Sequence, residues 1–429
     1  MMTGLIISIF VLGYLAIAFE HHTKINKAAP ALITGVLCWT AYSLFTPDKT
    51  LVDHQLAESL GEYAGILFFL MSAMTIVAII DAHDGFQIIT RRITTTSKRK
   101  LLWIISLLTF FLSPVLDNLT TAIVMVSLAQ KILKEGEDRL YFVAMIIIAA
   151  NAGGAWSPIG DITTTMLWMG GQITAGNIIL KLLLPSIVSL VVPLLILSAR
   201  MKGKVDRIDA DDLSTSTVPI SERHQWIVFL SGVIILVLVP VFKTLTHLPP
   251  YMGILIGLGI MWIITEITGG DKEESDRYKL SPASALRRVD TPSILFFLGI
   301  LLSIGVLQAT GILSGAAVWL TDNLKNESVI VMSIGLLSAI VDNVPLVAAT
   351  QGMYSLQQYP TDHYFWEFIA YCTGTGGSAL IIGSAAGVAA MGIANINFFW
   401  YLKRITWLAI LGYFAGALIY ILQEAIFHF

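Results

Sequence analysis

The chain has 429 residues, of which 56% are hydrophobic and 13% charged, about half the roughly 25% charged residues of soluble domains. With a mean hydropathy of +0.78, too little polar surface remains to clothe a soluble globule, which excludes a cytosolic enzyme, a disordered chain and a coiled coil. A net charge of −3 argues against a nucleic-acid partner, and Cys38 and Cys372, far apart in apolar stretches, make no CxxC or disulfide framework.

A bilayer core of about 30 Å takes about 20 mostly apolar residues as a helix. In chain order such stretches run at 3–20, 29–46, 63–81, 101–133, 140–170, 177–199, 225–243, 250–268, 290–312, 328–357, 364–395 and 402–424. The first lacks a basic flank and a small-residue cleavage site, so it reads as a retained helix. Segments 101–133 and 328–357 carry Pro114, Asp117 and Asn118, and Asp342, Asn343 and Pro345, at their centres. They read either as straight spans or as hairpins that enter and leave on one side. As one straight helix, 140–170 would measure about 46 Å, beyond the hydrocarbon thickness. Its middle, Asn151-Ala-Gly-Gly-Ala-Trp-Ser-Pro-Ile-Gly-Asp161, is a poor helix sequence.

Charge chooses between the readings. With two re-entrant hairpins, and with 140–170 and 364–395 as broken spans, the chain makes ten crossings. Loops 21–28, 82–100, 131–139, 200–224, 269–289 and 396–404 then share one side and hold 22 of the 26 Lys and Arg residues. The other side keeps Lys49, Lys181, Lys243 and Lys325. The positive-inside rule makes the first side cytoplasmic and puts both termini outside. Two full spans would export loop 200–224 with Arg200, Lys202, Lys204, Arg207 and Arg223.

The chain also matches itself. Ser113-x3-Asp117-Asn118 aligns with Ser338-x3-Asp342-Asn343 at an offset of 225, and Gly153-Gly154-x5-Gly160 aligns with Gly376-Gly377-x5-Gly383 at an offset of 223. Under the topology above the hairpins enter from opposite sides. The expectation is therefore an all-α polytopic membrane protein, an inverted repeat with about ten transmembrane spans, two re-entrant hairpins and two broken helices. Paired glycine-interrupted spans of this kind point to a midplane binding site in a secondary transporter.

Acidic residues deep in a membrane are costly and default to function. Asp117, Asp161 and Asp342 qualify by position, whereas Asp81, Glu20, Glu266, Glu367 and Glu424 fall at span ends. No lysine or arginine is expected at comparable depth, so the pocket reads as net acidic, its carboxylates bound to a cation or protonated. Each aspartate also has a plainer reading as a helix cap. Asn151 is a candidate carbonyl ligand, Asn118 and Asn343 accompany the hairpin aspartates, and Thr120, Thr121, Ser157, Thr163 and Thr164 are weaker oxygen candidates. Thr120 and Thr121 align with Pro345 and Leu346, while Asn151, Ser157 and Asp161 align with Gly374, Leu380 and Ser384. The first copy keeps oxygen ligands that the second lacks. One main ion site follows, built on Asp117, Asn118 and Asp161, with Asp342 approaching from the second copy. Hard cations such as Na⁺ and Li⁺ suit such oxygens. Burial disfavours an ionised carboxylate and a bound cation favours it, so proton and cation compete for one site, and alternating exposure turns competition into exchange. The transported Na⁺ or Li⁺ and H⁺ are cargo, and no cofactor is expected.

Ser113-Pro-Val-Leu-Asp-Asn-Leu-Thr-Thr-Ala and Asn151-Ala-Gly-Gly-Ala-Trp-Ser-Pro-Ile-Gly-Asp-Ile-Thr-Thr-Thr-Met-Leu-Trp168 closely resemble the NhaD-type sodium/proton antiporters, part of a superfamily that includes arsenite, citrate and dicarboxylate carriers. The resemblance implies a multi-pass protein of the bacterial inner membrane that exchanges Na⁺ or Li⁺ for H⁺, mainly at alkaline pH. It also implies a homodimer with elevator-like motion. Carried onto this chain, 1–100 and 225–312 are scaffold, 101–199 and 325–424 transport units, and 200–224 a cytoplasmic linker. Where the superfamily's carboxylate carriers have Ser-Asn-Thr at the hairpin tips, this chain has Asp117-Asn118-Leu-Thr and Asp342-Asn343-Val-Pro. The main rival is a coupled carrier of a small anion or metalloid on the same fold, with Gly376-Gly377-Ser378 as an anion nest. A membrane enzyme built on His224, His247, His363 and His428 is a weaker rival, since none forms a metal-ligand pattern.

Overall fold

The computed structural model describes residues 2–427 except 19, 91, 92, 94, 135, 206–219 and 269–273. Asp209, Asp211 and Asp212 of the expected linker, and His428, lie outside the described residues. The apolar runs all form helices. Among the described residues the β-structure is confined to isolated bridge positions, Ser97 with Lys204, and Leu133.

The chain opens with α1 (Met2–Ala18), α2 (Glu20–Thr23), α3 (Ala28–Phe45), α4 (Lys49–Ala82) and α5 (Gln87–Thr90). Asp48 starts α4 by accepting from Leu51 N at 3.1 Å, and the helix runs 34 residues, about 51 Å at 1.5 Å per residue. Hydropathy marks only 63–81 of it, because Lys49, Asp53, His54, Glu58 and Glu62 make its first turns polar. Next come α6 (Lys98–Leu116) and α7 (Asn118–Ile132), parted by Asp117 alone, then α8 (Glu137–Gly154) and α9 (Ile162–Met169), parted by 155–161, and α10 (Ala175–Arg200).

The second half repeats the plan. It has α11 (Glu222–Thr246), α12 (Pro250–Thr268), short connecting helices α13 (Glu274–Leu280) and α14 (Pro282–Leu286), α15 (Thr291–Ala309) and α16 (Ile312–Leu324). Then follow α17 (Glu327–Leu337) and α18 (Asn343–Met353), broken over 338–342, and α19 (Tyr364–Gly376) and α20 (Ala385–Ala394), broken over 377–384. A 116° bend leads from α20 into α21 (Phe398–Arg404), and α22 (Thr406–Phe427) closes the chain.

Among the described residues eight helices are long and apolar enough to cross a membrane, nine with the bent pair α20–α21, against ten crossings expected. α1, α9, α19 and α20 alone are too short, and α8 has the length of α3 but opens on Glu137, Asp138 and Arg139, while α6 qualifies although expected as one arm of a hairpin. Leu12, Leu180, Leu245 and Ile267 are 67–78% exposed, while Asn118, Asn151 and Asp161 are buried. Apolar side chains outside and polar ones inside reverse the soluble pattern. This is a multi-pass membrane protein.

The matched segments pack alike. α6 lies on α8 as α17 lies on α19, while α7 lies on α20 and α18 on α9. The second arm of each break thus rests on the broken span of the other half. Ser113 Oγ donates to Ala150 O at 2.5 Å, and Ser338 Oγ donates to Thr373 O at 2.9 Å. A Cβ on Gly153 would meet Phe110 O at 2.4 Å, and one on Gly376 would meet Gly335 O at 2.0 Å. Every partner in one half is the sequence match of its counterpart at offset 225 or 223. Glycine is required at both places because backbone approaches backbone.

Candidate ion-binding site

Helix breaks inside an apolar body must satisfy their own backbone, and here acidic caps do so. Asp117 ends α6 and caps α7 at φ 74°, ψ 159°, a region that strains any residue with a Cβ. Its Oδ1 accepts from Thr120 N at 2.8 Å and its Oδ2 from Thr120 Oγ1 at 2.7 Å. Asp161 caps α9, its Oδ1 accepting from Thr163 N at 2.8 Å and Thr163 Oγ1 at 2.9 Å. Its Oδ2 accepts from Asn118 Nδ2 at 2.6 Å. The same amide donates to Asn151 Oδ1 at 3.1 Å. Asn151 Nδ2 in turn donates to Ser378 Oγ and Ser384 Oγ, both at 2.9 Å. One buried chain of polar groups thus joins the two halves.

Asp117 and Asp161 face a single cavity, lined on their side by Val115, Leu116, Ile159, Ile162 and Thr165. Phe69, Leu70, Ala73 and Met74 of α4, Leu236 and Val239 of α11 and Ile254 of α12 form the opposite walls. Its volume is about 20 Å³. A single water needs roughly 10–15 Å³ in that measure, so the space suits one water-sized body. Among the described residues no lysine or arginine is ion-paired with either aspartate.

Several expectations change. Asp342 caps α18, accepting from Val344 N at 3.3 Å, but it does not line this cavity. It is paired with Lys27 Nζ at 3.2 Å, which corrects the reading that no basic residue reaches such a position. Lys27 counted as a loop charge, since its partner lies 315 residues away. Asn343 Oδ1 accepts from Ser338 Oγ, so it serves its own break. Asn151 lies inside the last turn of α8 rather than in unwound chain, and it contributes its side chain, since its carbonyl accepts from Ala155 N. Ser157 Oγ donates to Pro114 O at 2.7 Å, and Thr164 Oγ1 donates to Asp161 O at 2.9 Å. Both hydroxyls satisfy broken-helix backbone. Thr121 Oγ1 is buried and has no hydrogen-bond partner among the described residues.

Glu367, expected at a solvated span end, is 0% exposed. It accepts from Tyr420 Oη at 2.8 Å and from Asn177 Nδ2, beside the Lys181–Glu424 pair at 2.5 Å. Its ties to two neighbouring helices, α10 and α22, replace solvation. The histidines stay apart from the cavity. His363 caps α19, His247 ends α11 in a left-handed turn, and His224 stacks on His83 at 5.1 Å. Among the described residues no three His, Cys, Asp or Glu side chains gather as metal ligands.

Helix breaks repeated in both halves, with the two acidic caps of the first half on one small cavity, are the architecture of a membrane transporter. The family described as "Citrate transporter" (CitMHS) matches residues 14–367. Sodium/proton antiporters 1 and 2 of Arabidopsis thaliana are 48% and 46% identical, each over 96% of this chain and over 71% and 98% of their own lengths. The Na⁺/H⁺ antiporter NhaD of Alkalimonas amylolytica is 30% identical over 98% of this chain and 91% of its own. Among solved structures, the YdaH transporter of Alcanivorax borkumensis superposes with a TM-score of 0.56 at 12% identity, covering 89% of this chain and 90% of that one. That likeness concerns the fold alone. The chain belongs to the NhaD-type sodium/proton antiporters, within the citrate-transporter family.

Proposed function

We propose that the protein exchanges Na⁺ or Li⁺ for H⁺ at the cavity faced by Asp117 and Asp161. The observation that carries this reading is two carboxylates on one water-sized cavity with no basic ion-pair partner among the described residues. Such a pair binds a hard cation, or protons, but not both at once. Asn118 and Asn151 hold Asp161 in place, and Thr120 and Thr163 hydroxyls complete the oxygen set. The relatives named as sodium/proton antiporters favour the same chemistry.

The cavity lies between the end of α6, the 155–161 break and α9 on one side and α4, α11 and α12 on the other, which suits a transport unit of 101–199 with 325–424 moving against a scaffold of 1–100 with 225–312. Elevator motion of a homodimer in a bacterial inner membrane, with the basic loops cytoplasmic and both termini periplasmic, completes the proposal. The citrate in the family description favours a second reading, an anion carrier. The uncompensated carboxylates at the cavity oppose it.

The test is pH-dye dequenching in everted vesicles with Na⁺, Li⁺, K⁺ or citrate added. Na⁺- or Li⁺-evoked dequenching that Asp117→Asn and Asp161→Asn each abolish is the expected result. Full exchange by either variant, or a response to citrate in place of Na⁺ and Li⁺, overturns the reading.

A further inference from the structure

The matched aspartates use their oxygens in parallel. At Asp117, Oδ1 caps the helix and Oδ2 accepts from the Thr120 hydroxyl. At Asp342, Oδ1 caps the helix and Oδ2 meets Lys27 Nζ. Pro345 stands where the first half has Thr120, and it offers neither a hydroxyl nor an N–H. Among the described residues the second half gives that oxygen no donor of its own, and the Lys27 ammonium supplies the bond.

Lys27 is held at both its backbone and its ammonium. Its backbone N donates to Glu20 Oε1 at 3.1 Å, and its Nζ lies 4.3 Å from the centre of the Phe296 ring. The Lys27 and Asp342 side chains are 17% and 14% exposed. A pair this enclosed is poorly screened by salt, and removing one member strands the other charge.

We propose that Lys27 is the built-in counter-cation of the second half. Its ammonium fills the carboxylate that would otherwise bind transported Na⁺ or a proton, so each cycle runs on the Asp117–Asp161 site alone. This rests on the exchange reading above and adds the reason a duplicated fold carries a single working site.

Without the ammonium, Asp342 takes a cation or proton of its own, and the number of ions moved per cycle changes. The experiment uses full-length protein in proteoliposomes with imposed Na⁺ and pH gradients, and reads the gradient ratio at which net flux vanishes. ²²Na⁺ bound per purified chain is counted in parallel. Lys27→Arg should keep the wild-type ratio and bind one Na⁺ per chain. Lys27→Gln should shift the ratio or bind a second Na⁺, and Lys27→Gln with Asp342→Asn should restore both wild-type values. A purely structural strut would alter yield or rate but not the ratio or the count. Where Lys27→Gln fails to fold, the charge swap Lys27→Asp with Asp342→Lys takes its place and should match wild type.

An unchanged ratio and count in folded Lys27→Gln, or failure of the neutral double variant to restore them, overturns the proposal. So does a charge swap that folds without matching wild type. Absence of exchange by wild-type protein refutes the antiport reading instead, and the ²²Na⁺ count then judges Lys27 by itself.

Discussion

Asp117 and Asp342 occupy matched helix breaks yet are built differently. Asp117 holds a strained backbone at φ 74°, keeps its side-chain bonds within its own turn and opens onto the cavity with Asp161. Asp342 is relaxed at φ −49° and spends its second oxygen on Lys27. Where the first half has Asp161, the second has Ser384, which caps α20 from a nearly identical backbone, φ −141° against −148°. The packing positions, Ser113 with Ser338 and Gly153 with Gly376, stay the same in both halves. Duplication thus preserves the joints that make a helix break possible, while the charges placed on those joints diverge.

The widest separation is expected between Asp161→Asn and Ser384→Ala. The first should reduce cation-evoked exchange in vesicles to background. The second removes one of two hydroxyls facing Asn151 and one cap, a cost of about 1 kcal/mol, and should leave exchange measurable. Equal losses would break the assignment of unequal roles. Gly153→Ala and Gly376→Ala should both fail, since each Cβ meets a backbone carbonyl at 2.4 Å or less. Overpacking of this kind costs about 1–3 kcal/mol or more. Size-exclusion profiles in detergent, with Gly4→Ala as the open-space control, would register it.

Strain supplies a test of opposite signs. Asp117→Gly relieves a conformation that costs about 1–3 kcal/mol, so its thermal unfolding midpoint should hold or rise while exchange is lost. Asp342→Gly strands the Lys27 charge and should lower the midpoint. The smallest contrast is Ser113→Ala against Ser338→Ala. Each loses a buried hydrogen bond worth about 1 kcal/mol, and Ser338→Ala also strips Asn343 of its hydroxyl neighbour, with which Thr373 O shares the one hydroxyl hydrogen.

Much of this was legible in the sequence. The offsets of 225 and 223 predict which serine and glycine contacts recur, and Asp117, Asn118, Asn151 and Asp161 do come together. What sequence position hides is reach. A lysine's long stem lets its charge leave the loop its Cα belongs to, so Lys27 is found at Asp342. Glu367 hides for the converse reason, because a helix N-terminal turn near a predicted span end is here covered by Tyr420 and Asn177. The extent of α4 hides because polar helix formers give no hydropathy signal.

That extent has a consequence for the whole assembly. α4 carries Phe69, Leu70, Ala73 and Met74 along one wall of the cavity, and the same unbroken rod ends among the exposed His54 and Glu58. A helix longer than the hydrocarbon is thick answers a change in bilayer thickness by tilting. Tilt of this rod would carry the cavity wall with it, so acyl-chain length in the surrounding lipid should alter the width of the space that Asp117 and Asp161 face.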